Sequence, residues 1–575
     1  MKRYILLSLL ALAHVLATAE HTVRERIYLQ ADKGLYMAGE RVWLKAVATD
    51  MQGRPLDLSK VAYVELLDGS APRVQLKIEM TDGLGEGSFL LPVALPTGFY
   101  RLTAYTRYMR NEGEAVYYDR LLTVVNPFVP LTNAVARDVS GAVQLYAGET
   151  GHDASAASSE ASPATPAAQP SLHADRSVYP VRTAGALHIE GLPDDIRTLS
   201  VSIAGIDSLT LPADASLPAT TDGIEAWKRE LAGGNLPLSA ERQPEYEGHI
   251  LTGRLVNLST GNTAAGDKPV ALLGFAGRRP RVFGGRVGDD GEVSFFTHRS
   301  AGIREVATAV ISASPSAYRI DIQSPFAPHT YSPLPSPTLD ADRREALLER
   351  SVNAQVLQSF ADNTESDDDG GALFFTGEPD WRYLLDEYTR FPTMAEVVIE
   401  FIPGLRFRKT DDGYALSVLT EERAGFTQGR SMVLLDGIPL IDHELIYNYN
   451  PLLVKEIEVY KGRYVFGGTV FDGLAIFRTY RGDAPGLILS GSTQLFSYEG
   501  TDAARLFSFP SYLTEGERGS RLPDRRHTLL WQPHVDTPTV PFTTSDISGD
   551  FLIRMEGITR SGETISRTMT IRVEE

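Results

Sequence analysis

The sequence predicts a mainly β chain: tandem β-sandwiches joined to one small α/β domain. Polar and apolar residues alternate in runs such as Arg41-Val42-Trp43-Leu44-Lys45-Ala46-Val47 and Tyr63-Val64-Glu65-Leu66. That period of two puts one side of a strand on a core. Each run ends in a Gly, Pro or Asp cluster, as at Asp50 to Pro55, and the 50 glycines and 34 prolines suit many short strands and turns. The 575 residues accommodate roughly three to five domains.

Residues 1–19 read as a secretory leader. Lys2 and Arg3 precede an apolar run from Tyr4 to Leu16, and Ala17-Thr18-Ala19 places small residues where signal peptidase cuts. The run is far short of the about 20 residues that cross a bilayer. Residues 20–128 are expected to form the first sandwich and 129–171 a linker, because Gly151 to Pro170 is Ala-, Ser- and Pro-rich without a large apolar residue. Ala31-Asp32-Lys33-x-x-Tyr36 then recurs as Ala174-Asp175-Arg176-x-x-Tyr179, so a second, related sandwich is expected over 172–243.

A third sandwich is expected over 244–325, with a turn at Gly288-Asp289-Asp290-Gly291. Residues 326–373 read as a helical and acidic linker. Leu347, Leu348, Val352, Val356 and Phe360 are spaced for the buried face of a helix from Asp340 to Phe360. Residues 374–484 read as α/β: Thr393 to Ile402 is a short helix, Ser431 to Leu435 a strand, and Asn450-Pro451 a cap followed by proline. Residues 485–575 return to strands and turns as a C-terminal β domain.

The chain has no cysteine, which excludes disulfides, thiolate metal sites and thiol nucleophiles. G-x-x-x-x-G-K-[ST], H-E-x-x-H and G-x-S-x-G are all missing. Net charge is −19, and −21 once Lys2 and Arg3 are removed, which disfavours nucleic acid as a partner. The acidic run Glu365 to Gly370 fails as a calcium loop, because a loop with Gly370 at its sixth position has Thr376 where a glutamate is required. Asp436-Gly437 and Asp472-Gly473 could be paired carboxylates for acid/base work, but Asp-Gly is first a turn dipeptide. His443 is a lone histidine in a polar loop. Trp43, Trp381 and Trp531 read as core anchors. No enzyme, cofactor or metal is expected.

Two resemblances add to this reading. Asp32-Lys33-x-x-Tyr36-x-x-Gly39-Glu40-x-x-Trp43-Leu44-Lys45-Ala46, with Leu95-Pro96-Thr97-Gly98-Phe99-Tyr100-Arg101-Leu102, resembles the macroglobulin-type domain of α2-macroglobulins. The resemblance implies a seven-stranded sandwich; covalent trapping needs a cysteine thioester, which this chain cannot form. Val433-Leu434-Leu435-Asp436-Gly437-Ile438-Pro439-Leu440, then Val454 to Gly462 and Gly467-Gly468, resembles the plug domain of TonB-dependent receptors. Too few residues follow Tyr480 for such a receptor's barrel of about 22 strands. The combination resembles a group of exported bacterial envelope proteins. The fold class is then tandem immunoglobulin/macroglobulin-like β-sandwiches plus a small α/β plug-like domain.

The expected function is that of a non-enzymatic exported scaffold of the periplasm or outer membrane whose plug-like domain docks an envelope protein such as an outer-membrane β-barrel. The candidate partner-binding residues are Asp436, Gly437, Asp442, His443 and Tyr464. The alternative is a non-covalent macroglobulin-like peptidase inhibitor.

Overall fold

Period-two alternation makes strands, and in this chain most strands find partners far away in sequence. The computed structural model describes residues 23–129, 135–137, 170–206, 209, 241–261, 269–277, 281–297, 302–312, 317–334, 338–340, 343–360, 378–411, 413–420, 425–426, 430–489, 493–502 and 505–575. The linker stretch Gly151 to Glu160, most of 161–170, and the acidic run Glu365 to Gly370 lie outside them. The protein is mainly β and divides into two compact units. One comprises Met1–Tyr246, Pro328–Glu365 and Ala504–Glu575, the other Glu247–Ala327 and Ser366–Ala503.

The first unit begins with β1 (Arg26–Ala31), β2 (Leu35–Met37), β3 (Arg41–Thr49), β4 (Val61–Asp68), β5 (Ala71–Thr81), β6 (Leu84–Leu90), β7 (Gly98–Tyr105) and β8 (Tyr118–Val125). They pair in the order β1-β3-β6-β5-β4-β7-β8-β2. The short β2 runs parallel to β8. Asp32 is buried between β1 and β2, and its Oδ1 accepts from Tyr36 Oη at 2.8 Å and from Trp43 N at 3.1 Å. The link pins the β1–β2 turn onto β3.

A second sandwich starts with β9 (Ser171–Ala174), β10 (Val178–Pro180), β11 (Ala184–Glu190) and β12 (Ile196–Ile206). The sequence echo is a structural repeat. Asp175 Oδ1 accepts from Tyr179 Oη at 2.5 Å and from Ala186 N at 2.9 Å, and in both copies the backbone donor lies eleven residues after the aspartate.

The second unit follows with β13 (Ile250–Asn257), β14 (Val270–Phe275), β15 (Arg281–Val287), β16 (Glu292–Phe296), β17 (Ile303–Ile311) and β18 (Tyr318–Ile322). After α1 (Arg344–Phe360), which belongs to the first unit, come β19 (Trp381–Leu384), α2 (Met394–Phe401), β20 (Leu405–Thr410), β21 (Gly413–Thr420), β22 (Met432–Leu435), β23 (Ile438–Pro439), α3 (Glu444–Tyr447), β24 (Val454–Phe466), β25 (Thr469–Thr479) and β26 (Gln494–Glu499). Two sheets dominate this unit, in the orders β18-β13-β16-β15-β14-β17-β26 and β19-β24-β25-β22-β23. The second is apolar on both faces. Met432, Leu434, Leu474 and Ile476 pack with Leu272, Val282 and Ala309 of the seven-stranded sheet. Val433, Leu435, Ala475 and Phe477 pack with Val397, Val398 and Ile446 from the helices. Alternate residues therefore serve opposite cores.

The chain returns to the first unit through α4 (Glu515–Arg518), β27 (Thr528–Gln532), β28 (Thr539–Thr543), β29 (Gly549–Thr559) and β30 (Thr564–Glu574). These complete the second sandwich as the sheets β9-β11-β28 and β10-β30-β29-β12-β27. Strand for strand this repeats the first sandwich: β9-β11-β28 matches β1-β3-β6, and β27-β12-β29-β30-β10 matches β5-β4-β7-β8-β2, including the parallel edge pair. Strands that the sequence distributes between 172–243 and 485–575 thus share the same sheets. Period-two patterning reports that a segment is a strand and says nothing of a partner beyond residues 207–527.

Helix α1 differs from expectation in which face it buries. Leu348 and Val352 are 52% and 57% exposed, whereas Arg350, Ser351, Asn353 and Ala354 are buried. Arg350 Nη2 donates to Leu35 O at 3.4 Å and lies 3.9 Å from Glu40, so hydrogen bonding and charge, which hydrophobic spacing does not register, set the orientation. The short helix from Thr393 forms as α2, closed by a Thr393–Glu396 capping box, and the Asn450 cap forms as expected.

Asp32 also reaches the second sandwich, where its Oδ2 accepts from Thr528 Oγ1 at 2.7 Å. Asp32→Ala leaves the Trp43 N–H and the Thr528 hydroxyl without their acceptor, while the Tyr36 hydroxyl keeps Lys33 O at 2.9 Å; each buried donor left unsatisfied costs about 1–3 kcal/mol. Asp175 is exposed and serves only its own sandwich, where water can take its place, so Asp175→Ala is expected to cost at most about half as much. Urea unfolding of the two variants checks this; equal losses would contradict it.

Candidate functional site

All five sequence-predicted residues lie in the second unit, and four of them lie around β22 and α3. Asp436 and Gly437 form the β22–β23 turn in left-handed backbone, with φ of 47° and 90°, as an Asp-Gly turn requires. Both are buried. The Asp436 carboxylate accepts from Thr479 N at 2.8 Å, Thr479 Oγ1 at 2.5 Å and Ala484 N at 2.8 Å. It fixes the chain where it leaves β25. A Cβ on Gly437 would sit 2.2 Å from Phe275 O, so the turn lies against the end of β14 and presents no surface for a partner.

His443 precedes α3 and is also buried. Its Nδ1 accepts from Leu416 N at 2.9 Å, which anchors α3 to β21. Burial, with Arg430 nearby, pushes its pKa down to about 4; the ring is neutral at physiological pH. Asp442 is exposed, and its Oδ1 accepts from Glu444 N at 2.9 Å. Tyr464 lies elsewhere, on the β24–β25 hairpin against the core shared by the two sheets, where burial and then the Asp380 charge raise its pKa.

Three of the five residues therefore define one place. Beside Asp442 opens a groove of about 410 Å³, walled by α3 and its flanks on one side and by Pro485 to Ile488 on the other. Leu445, Leu453 and Leu487 contribute its apolar lining, and Glu444 and Asn448 are polar. Tyr449 Oη donates to Pro485 O at 2.7 Å and ties the walls together; burial raises its pKa to about 12. Asp436 holds one wall through Ala484, His443 holds the other through Leu416, and Asp442 sits on the rim. Sequence reasoning missed the apolar residues. Ile488 is 83% exposed, and the signal was Leu487-Ile488-Leu489, an apolar run after Pro485-Gly486 with no alternation.

The groove has the dimensions and lining of a binding cleft. Its volume falls in the usual range for ligand-binding clefts, and apolar walls with a few polar groups are the usual lining. Among the described residues no group of three or more His, Asp or Glu side chains is placed to hold a metal ion.

Comparison with known proteins gives one family match: residues 26–118 match the MG2 domain, which covers the first sandwich from β1 to the start of β8. No curated protein matches the chain. Among solved structures, Escherichia coli α2-macroglobulin activated by porcine elastase aligns at 9% identity over 96% of this chain and 44% of that one, TM-score 0.22. Salmonella α2-macroglobulin reacted with methylamine aligns at 10% identity over 97% and 40%, TM-score 0.21. The Yersinia pseudotuberculosis adhesin InvE aligns at 9% identity over 52% and 57%, TM-score 0.14. The chain spans less than half the length of these macroglobulins.

The neutral His443 ring generates a pH dependence. In the unfolded chain the ring takes a proton near 6.5, and in the folded chain only near 4. Stability in this region is therefore full above 6.5 and falls as pH drops towards 4, by up to roughly 3 kcal/mol. His443→Asn keeps an acceptor for Leu416 N–H and is expected to flatten that slope. Hydrogen exchange at the Leu416 amide between pH 7 and pH 4.5 measures it; an unchanged slope would contradict the assignment.

Proposed function

We propose that this chain, with an MG2 domain over residues 26–118 and a second sandwich of the same topology, is a non-enzymatic exported scaffold of the bacterial envelope. Its second unit docks a partner protein, and an outer-membrane β-barrel is the partner class favoured by the plug-like motifs around Asp436 and Ile457. Those motifs rest on sequence alone. Export follows from the leader pattern of residues 1–19.

The observation that carries the docking role is the apolar groove beside Asp442 with Ile488 at its edge. A side chain exposed to that degree costs about 2 kcal/mol of forgone burial, and a partner that covers it recovers that free energy. Leu452, 54% exposed, lies at the same end of the unit, next to Leu453 of the groove wall.

A photo-reactive amino acid at position 442 in intact cells tests the reading. An adduct with an outer-membrane barrel is expected, and Ile488→Asp in the same chain is expected to reduce it at least about ten-fold, the loss of about 1.4 kcal/mol of binding. No adduct, an adduct indifferent to Ile488→Asp, or capture of proteases alone would overturn the docking role; the last outcome would favour the peptidase-inhibitor reading.

A further inference from the structure

Residues 328–334, the first of the chain after its passage through the second unit, form a strap across the first sandwich. Ser70 Oγ donates to Tyr331 O at 2.8 Å. Thr330 gives both its hydroxyl and its N–H to Glu114 Oε2, at 2.6 and 3.2 Å. The Arg101 guanidinium lies 4.1 Å from the centre of the Tyr331 ring.

His329 is the most deeply buried of these side chains, at 2% exposure. Its Nε2 lies 2.7 Å from Glu65 Oε1 and its Nδ1 2.8 Å from Glu114 Oε1. An ionised carboxylate only accepts, so both ring nitrogens must donate, and only the imidazolium has two N–H groups. A neutral ring would turn a lone pair towards one carboxylate and lose that bond.

We propose that His329 is a protonation-controlled clasp: as imidazolium it holds the 328–334 strap on the first sandwich, and on losing its proton it lets go of Glu114.

The surroundings favour this order of events. Glu65, on β4, is fully enclosed and accepts as well from Tyr105 Oη of β7 at 2.6 Å and from Gln75 Nε2 of β5 at 2.6 Å, so it keeps two donors without the histidine. Glu114 is the outer carboxylate, its side chain 22% exposed, and water can replace the lost N–H there. The other groups packed around the ring are phenols. Tyr331 of the strap stacks on it with centroids 5.4 Å apart, Tyr105 meets it edge-on at 6.1 Å, and Tyr117 and Tyr63 stack on Tyr105. Arg101 over Tyr331, with Arg110 and Arg242 near Tyr117, are the neighbouring cations. Among the described residues, two carboxylates touch the ring and no cation does.

Burial disfavours the charged ring, but the hydrogen bonds to Glu65 and Glu114 and their charges outweigh it, so the pKa of His329 lies above its ordinary value. Against its partial burial, the Thr330 hydroxyl and then the His329 ring hold Glu114 below its ordinary range. For a group raised on folding, the stabilisation is complete below about 6.5 and is lost as pH rises through the folded value. The strap is therefore tight in mildly acidic surroundings and loosens on the alkaline side.

The test uses the full chain labelled with ¹⁵N-histidine, with His329 assigned by the spectrum of His329→Gln. Both ring nitrogens are expected to be protonated at pH 6.5, with deprotonation at higher pH. Protection of the Thr330 amide, corrected for intrinsic exchange, is expected to fall by up to about ten-fold per pH unit above that point. His329→Gln should abolish this pH dependence while leaving the β4 and β7 amides protected. Glu114→Gln, at a partly exposed site, should lower the titration point of His329 without unfolding the sandwich. A ring carrying one proton at pH 6, or Thr330 protection indifferent to pH, would overturn the proposal, as would a titration point unmoved by Glu114→Gln.

Discussion

The pairing of β12 with β29 and β27 constrains everything else. β12 lies between those two strands in its sheet, and its register runs from Ile196↔Thr559 to Ile206↔Asp550 on one side and from Val201↔Gln532 to Ala204↔Thr528 on the other. A buried strand needs both neighbours for its backbone groups. The second sandwich therefore exists only if the chain between 207 and 527 returns to it. The closure entropy of so long a loop grows only slowly with length, so a whole folded unit between the two halves is thermodynamically acceptable; non-local pairing makes such folding slow.

Many charged and polar residues without a catalytic explanation find one in that requirement, because they fasten the chain where it leaves and re-enters the first unit. On the way out, Asn111 exchanges hydrogen bonds with the Arg242 backbone, and Tyr63 Oη donates to Glu245. On the first return, His329 and Thr330 engage Glu65 and Glu114. On the second, Arg182 grips Asp546 through two nitrogens and also donates to carbonyls of the incoming segment, while Asp524 accepts from Tyr512 and Arg526. The motifs Leu522-Pro523-Asp524-Arg525-Arg526 and Ser545-Asp546-Ile547-Ser548-Gly549, distinctive in sequence, are parts of this fastening.

What the sequence revealed follows from range. Alternation placed the strands, and Asp32-x-x-x-Tyr36 with its echo at Asp175 revealed the repeat, because a tyrosine hydroxyl meeting an aspartate four residues away is a local bond. The splitting of the second copy left no local trace: β27 to β30 have the same pattern whether they pair with one another or with β12. Helix α1 was legible as a helix, yet its buried face depends on Arg350 finding Leu35 O and Glu40, partners more than 300 residues distant. At the candidate site Asp436 was legible as a turn residue. Its work on Thr479 and Ala484 was not, and neither was the groove, whose walls come from α3 with its flanks and from Pro485 to Ile488, which only folding brings together.

The split sandwich is open to one decisive measurement, because the chain has no native cysteine. Ala204 and Leu552 are cross-strand neighbours on β12 and β29, and antiparallel neighbours have Cα atoms about 4.5–5.5 Å apart, within reach of a disulfide. With Ala204→Cys and Leu552→Cys in one chain, mild oxidation of the native protein is predicted to close the bridge, shown by protection of both thiols from alkylation and by faster migration of the unreduced chain. Two thiols that remain fully alkylatable under oxidising conditions would contradict the pairing and, with it, the second sandwich.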